Sequence, residues 1–242
     1  MSTEYFEVNG RKFVVKVHYE HRHSSRVSIG RKAINVRIPS FLNRDEKARE
    51  LLRMKMWAIN NIKEKPERFK PEQQKEYKDG EVLKVVNEEY TLKIEFKEKE
   101  SSSARLVGNT IEMVISSKLT KEKQNKHLSA LLSRIIARKR LPELERKLHE
   151  LNKTHFNKPI RKIFFKNTKS RWGSCSEDGN INISTRLLFA PDNVLEAVCI
   201  HELAHLTEKN HSDKFWELVE KAMPNYKETH NWLKENGGSC GF

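Results

Sequence analysis

Two histidines four residues apart, with a glutamate beside the first, make His201-Glu202-Leu203-Ala204-His205 the part of this chain best suited to chemistry. On an α-helix, residues four apart lie about 40° apart in azimuth and one turn apart in height. Both imidazoles then share a face and reach one ion, while Glu202 lies beside it, free to hold a water. This is the HExxH arrangement of zinc-dependent hydrolases. The neighbours Val198, Cys199, Ile200, Leu203, Ala204 and Leu206 are uncharged. They predict a buried helix, where an unliganded histidine pair would be costly.

His211 follows His201 by ten residues, the spacing of the HExxHxxGxxH pattern, in which the chain turns sharply after the helix. Glu208 stands where that pattern has glycine. Asn210, which tolerates the left-handed conformation, is the residue expected to make the turn. Ser212 then caps a new helix through Phe215, Trp216 and Val219. A carboxylate from that helix, Glu217 or Glu220, is the alternative third ligand. Three histidines leave a fourth position open for water, the mark of a catalytic zinc. On donor chemistry alone such a site also suits nickel or copper.

Several elements must hold these groups in place. The first forty residues read as short strands at 13–17, 27–29 and 33–38, followed by a helix from Asn43 or Asp45 that carries Trp57. Residues 65–79, polar with two prolines, read as a linker. Strands follow at 82–86, 90–96, 103–107 and 110–115, then a long helical stretch from about 121 to 151, which Pro142 should kink or split. Further strands are expected at 160–165 and 180–184. Asn193 with Glu196 reads as a capping box for the histidine helix. No internal repeat is evident in the sequence. The fold class expected is α+β. A β-rich N-terminal region with one helix (1–116, including the linker 65–79) precedes a zincin-like helical metallopeptidase core with a small sheet (117–242).

Composition narrows the partners. The chain has 242 residues, a net charge of +14 and 33% charged residues. It shows no apolar run near the roughly 20 residues of a membrane span and no signal-peptide pattern at its start. Three widely spaced cysteines (Cys175, Cys199, Cys240) make neither a disulfide framework nor a zinc knuckle. Cys199 falls on the core side of the histidine helix. These features point to the cytoplasm and to no membrane partner. Residues 118–171 hold 17 Lys and Arg against four acids, so most of the excess charge precedes the histidine motif. Such a segment attracts nucleic acid or nucleotide phosphate, or else is a solvated helix face. His18, His21 and His23 read as a functionally silent exposed turn.

The motifs Arg171-Trp172-Gly173-Ser174-Cys175-Ser176, Gly179-Asn180-Ile181-Asn182, the HELAH helix, His211-Ser212-Asp213-Lys214-Phe215-Trp216 and Pro224-Asn225-Tyr226 occur in this order. Together they resemble the YgjP-like metal-dependent hydrolases of bacteria and archaea, and the metal segment is similar to the SprT and WLM protease cores. The resemblance implies a zinc metallopeptidase. It also implies that His201, His205 and His211 bind one Zn2+ ion and that Glu202 is the general base. Some family members are described instead as UTP pyrophosphatases.

From the residues themselves, Arg171 is placed to stabilise an oxyanion or grip a phosphate, or else to stack on a tryptophan. Tyr226 and His230, on one face of the last helix, are candidates to donate to a tetrahedral intermediate, or pack. Met223 is a candidate to sit beneath the metal, as in a Met-turn.

Three functions follow as expectations. The first is a zinc-dependent metallopeptidase, in which Glu202 takes the proton of a metal-activated water and cleaves a peptide or protein substrate. The second is a nucleoside triphosphate (UTP) pyrophosphatase using the same site. The third is a nucleic-acid-binding module with a structural metal.

Overall fold

The same ββββα pattern is built twice, with a constant offset of 77 residues. In this computed structural model, which describes residues 3–8, 11–30, 33–64, 66, 75–85 and 87–242, the first copy has β1 (Thr3–Val8), β2 (Arg11–Glu20), β3 (Arg26–Ile29), β4 (Ala33–Pro39) and α1 (Arg44–Glu64). The second has β5 (Val82–Val85), β6 (Glu88–Lys97), β7 (Ser103–Val107), β8 (Thr110–Ser116) and α2 (Lys121–His155). The strand orders are β1-β2-β4-β3 and β5-β6-β8-β7. Adding 77 to Val14↔Ala33, Tyr5↔Val14 and Arg26↔Arg37 gives Thr91↔Thr110, Val82↔Thr91 and Ser103↔Val114, all of them observed pairs.

The repeat escaped the sequence reading because few identities survive. What persists is alternation: Phe13, Val15, Val17, Ile34, Val36 and Ile38 answer to Tyr90, Leu92, Ile94, Ile111, Met113 and Ile115, and all are buried. Period-2 patterning fixes which face of a strand meets the core without fixing residue identity.

The first copy is a unit by itself. Met54, Ala58 and Ile62 of α1 close the inner face of its sheet. Asn43 starts the helix with a reciprocal capping box: its Oδ1 accepts from Glu46 N at 2.9 Å, and its own N–H donates to Glu46 Oε2 at 2.8 Å.

Contacts divide the chain between residues 74 and 75, not between 116 and 117 as the sequence suggested. The reason is a shared core: Leu128, Leu131, Leu132 and Ile136 of α2 pack against Leu92, Ile111 and Ile115 of the second sheet. Most of the expected linker, residues 65 and 67–74, lies outside the described residues. Its end belongs to the second unit, where Tyr77 is buried in the same core and Asp79 Oδ1 accepts from Ile94 N at 2.7 Å.

Helix α2 is continuous through Pro142. Proline removes one backbone donor, but each half of the helix is held by its own core. The first half lies on the second sheet, and Leu144 and Leu148 join a core with Ile163, Ile181, Ile183, Val194, Val198 and Leu203. That core is built from β9 (Lys162–Lys166), β10 (Gly173–Cys175), β11 (Asn180–Ser184) and α3 (Asp192–Ala204). The three strands lie in the order β10-β11-β9, with β11 antiparallel to β10 and parallel to β9. Helix α3 begins after Pro191, so Asn193 is helical and not the cap. Helices α4 (Asp213–Ala222) and α5 (Tyr226–Asn236) complete the unit. The described chain is thus α+β, and none of its helices is long and apolar enough to cross a membrane.

Leu132 is fully buried where α2 meets the second sheet. Leu132→Ala should destabilise the protein by about 2–5 kcal/mol, seen as a lower urea midpoint at unchanged slope, whereas exposed Lys123→Ala should change it by less than about 0.5 kcal/mol.

Candidate metal centre

Helix α3 carries His201 in its last turn and ends at Ala204, with His205 as its C-cap still in helical conformation. The two rings therefore stay on one side, with centroids 5.0 Å apart. The chain then turns through Leu206 N–H to Leu203 C=O (2.9 Å), Thr207 N–H to Ala204 C=O (3.0 Å) and Glu208 N–H to Ala204 C=O (2.9 Å). Asn210 is not left-handed: among the described non-glycine residues only Asn157 has positive φ. Three successive tight turns replace the single sharp one, which is why Glu208 can stand in the glycine position.

The turn returns His211 to the pair. Its ring lies 5.0 Å from that of His201 and 4.8 Å from that of His205, and the ligand atoms of all three lie within 4.8 Å of one another. His211 Nε2 and His201 Nε2 are 3.0 Å apart. Two nitrogens bound tetrahedrally to one zinc at about 2.0–2.1 Å would be about 3.3 Å apart, so the His201–His211 pair is close to that spacing, with the ligand atom of His205 within 4.8 Å of both. His205 Nδ1 donates to the Glu208 carbonyl at 3.1 Å, which fixes the tautomer with Nε2 turned to the centre. Neither Glu217 nor Glu220 belongs to this group, and Glu220 pairs with Lys227 at 3.1 Å.

Ser212 caps α4, its Oγ accepting from Phe215 N at 3.4 Å. The cap aims Phe215 at the histidines. This ring is fully buried, with centroids 4.9, 4.5 and 4.8 Å from His201, His205 and His211. It forms the apolar floor that Met223 was expected to supply. Met223 packs within the same cluster as Phe215 and Val219. Trp216 stacks on His211 at 5.8 Å and on Tyr226 at 5.3 Å, so Tyr226 braces the third histidine through an indole. His230 is exposed on α5, near enough for its charge to oppose protonation of His201.

Glu202 is buried at 5% exposure. Desolvation raises its carboxyl to about 8, and the charge of Arg171 pulls the other way. Burial, with the neighbouring His205, His211 and His230, pushes His201 down to about 4. The Arg-Trp-Gly-Ser-Cys motif now has a physical account. A Cβ on Gly173 would lie 2.5 Å from Glu202 Oε1 and 2.6 Å from its Cγ, so only glycine lets β10 lie against this side chain. The tryptophan of the motif does stack on an arginine, but on Arg186, whose guanidinium sits 3.9 Å from the Trp172 ring. Arg171 is exposed, and its charge favours the ionised form of Glu202. Sequence reasoning missed Gly173, Phe215 and Trp216 as parts of the site. Cys199 is fully buried, its thiol pushed up to about 12 by desolvation, and the histidines at 18, 21 and 23 form no metal-holding group among the described residues.

The profile of the YgjP-like family, metallopeptidase domain, matches residues 23–236. The chain belongs to the YgjP-like family. The matched profile is that of a metallopeptidase domain, and it implies a divalent ion, usually zinc. A UTP pyrophosphatase of Escherichia coli (strain K12) is 30% identical over 88 residues, 35% of this chain and 53% of that protein. The chain thus matches only about half the length of that relative. Two solved structures are also similar. The metallopeptidase zymogen abylysin of Pyrococcus abyssi is 26% identical, with 38% of this chain and 92% of that chain covered and a TM-score of 0.35. The zymogen jannalysin of Methanocaldococcus jannaschii is 19% identical, with 38% and 93% covered and a TM-score of 0.34.

Gly173→Ala should displace Glu202 and lower turnover by tenfold or more, while metal analysis still finds the parent's metal content. Loss of metal together with activity would mean that Gly173 supports the ligands instead.

A second expectation concerns pH in chelator-treated protein. The folded chain holds the Glu202 proton more tightly than the unfolded chain, a stabilisation present below pH 4.5 and lost as pH rises through about 8. His201 acts oppositely: its contribution is present above pH 6.5 and lost as pH falls through about 4. From pH 6.5 to 8 the Glu202 contribution dominates. The melting temperature should therefore fall over that range, and Glu202→Gln should remove most of the fall.

Proposed function

We propose that the protein is a zinc metallopeptidase in which His201, His205 and His211 hold one ion and Glu202 is the general base. The observation that carries this reading is the edge of β10. Ser184 N–H donates to Trp172 C=O and Ser176 N–H to Asn180 C=O. In an antiparallel pair, bonded and unbonded positions alternate, so the N–H and C=O groups of Gly173 and Cys175 point away from β11. Among the described residues no strand pairs on that side. An extended peptide adding to this edge would pass the Gly173–Glu202 contact and reach the three histidines.

A bound zinc supplies Lewis acidity to the attacking water and to the carbonyl under attack. Glu202, held against Gly173, accepts the proton of the water and returns it to the leaving amine. Phe215 excludes water from beneath the histidines, and exposed His211 leaves the centre open on its own side. That openness supports a catalytic site over the structural metal of a nucleic-acid-binding module. In this reading Arg171, whose charge reaches Glu202, steadies developing negative charge. Tyr226 acts as a brace for Trp216, and the charge of exposed His230 opposes protonation of His201.

One observation favours the second reading. The partial likeness to a UTP pyrophosphatase makes phosphoanhydride hydrolysis by the same centre the alternative, with Arg171 gripping phosphate.

Both readings are tested in one experiment. Zinc-loaded protein is given an unfolded protein and a panel of nucleoside triphosphates, beside Glu202→Gln. The peptidase reading expects fragments of the protein substrate, with turnover reduced about 10²–10⁴-fold in the variant at unchanged zinc content. Pyrophosphate release selective for UTP and lost in Glu202→Gln, with the protein left intact, would replace it by the alternative.

A further inference from the structure

Away from the histidines, α2 and β9 enclose a groove of about 340 Å³ lined by Arg134, Arg138, Phe164, Phe165, Asn167 and Thr185 among others. We propose that this groove binds single-stranded nucleic acid, with consecutive phosphates on Arg134 and Arg138 and a base against Phe164. It shares no lining residue with the metal centre and does not depend on what that centre cleaves.

The charge in the groove is unspent. Along α2 and its flanks most cations already have carboxylates: Lys126 with Glu122, Lys139 with Glu88, Arg140 with Glu143, Arg146 with Glu150 and Lys147 with Glu196. Arg134 and Arg138 are exposed and meet no carboxylate among the described residues. They stand one helical turn apart, about 6 Å along the axis, on the face that forms the groove wall. Guanidinium groups so placed each offer a fork of N–H donors to a phosphate.

The opposite wall supplies what composition did not show. β9 is an edge strand, and its alternation puts Lys162, Phe164 and Lys166 on one face, an aromatic ring between two exposed cations. Phe165 anchors the strand in the core. Beneath, Ser133 Oγ and Thr185 Oγ1 satisfy each other at 3.0 Å, so the floor makes no polar demand on a ligand. A cationic track beside a partly exposed aromatic is the arrangement that binds single strands without sequence preference. The volume, near the lower end of about 300–1,000 Å³ for ligand pockets, admits one base and excludes a duplex.

The test uses the full chain and a fluorescein-labelled single-stranded oligonucleotide of mixed sequence, read by anisotropy across a salt series. Arg134→Ala with Arg138→Ala should weaken binding tenfold or more and flatten the log–log salt slope by about 1.4, about 0.7 per lost phosphate contact. Phe164→Leu, which keeps the apolar volume, should weaken binding about fivefold or more with the slope unchanged. Circular dichroism checks that each variant is folded. Any of three results would overturn the proposal: no binding at 50 mM salt, an equal loss in Lys153→Ala with Lys158→Ala, which lie outside the groove, or displacement of the oligonucleotide by equimolar UTP or polyglutamate.

Discussion

The close approach of β10 to α3 at Gly173 and Glu202 is the constraint around which the second unit is organised. Raising a carboxyl from 4.5 to about 8 corresponds to roughly 5 kcal/mol against ionising it in place. A group so placed is poised near neutrality and responds strongly to any nearby positive charge. Burial of this degree demands a strand without a side chain on one side and a helix on the other. The rest of the unit supplies both: β11 holds β10 in register, and Leu144 and Leu148 of α2 share the core that supports α3.

That arrangement explains why α2 is so long. Its first half completes a repeat of the N-terminal module, and its second half belongs to the core that supports the histidine helix. The corresponding helix of the first copy ends at Glu64, 77 residues before Leu141, one position short of the proline. The extra turns after Pro142 are what the second copy adds, and they carry the residues that seat the strands and the histidine helix. In this sense the three-histidine cluster is built onto the second copy of a repeated module, and Pro142 marks the join.

The local chemistry was legible in the sequence because it is carried by residue type and short spacing. The HExxH pair, the Ser212 cap and the buried Cys199 follow from helical geometry over a few residues, and the return of His211 from its ten-residue spacing, though not by the turn at Asn210 that was expected. What stayed hidden depends on contacts between distant segments. Gly173 is 29 residues from Glu202, and nothing near it in sequence says that its missing Cβ makes room for a carboxylate. The ring beneath the histidines is Phe215 and not Met223, because a helix of known start can still present either side of its axis. Arg186, and not Arg171, stacks on Trp172, since the neighbour in space is not the neighbour in sequence. The repeat was invisible for a related reason: it is conserved in pairing register and burial, which tolerate wide exchange among apolar residues.

The edge of β10 also bears on the choice between the two proposed reactions. Its outward positions, Gly173 and Cys175, present both N–H donors and C=O acceptors. A peptide backbone satisfies both kinds of group, donor to acceptor and acceptor to donor. A triphosphate satisfies only the donors and sets anionic oxygens against carbonyl lone pairs, an unfavourable contact in a partly dehydrated site. Cations could offset this, and the charges of Arg171 and Lys209 do reach Glu202, Cys175 and His205. Yet a phosphate site built for affinity would aim donors alone at the ligand, as helix N-termini and glycine-rich loops do. An alternating edge suits an amide chain better than a triphosphate, and that preference is what the proposed peptidase reading draws from β10.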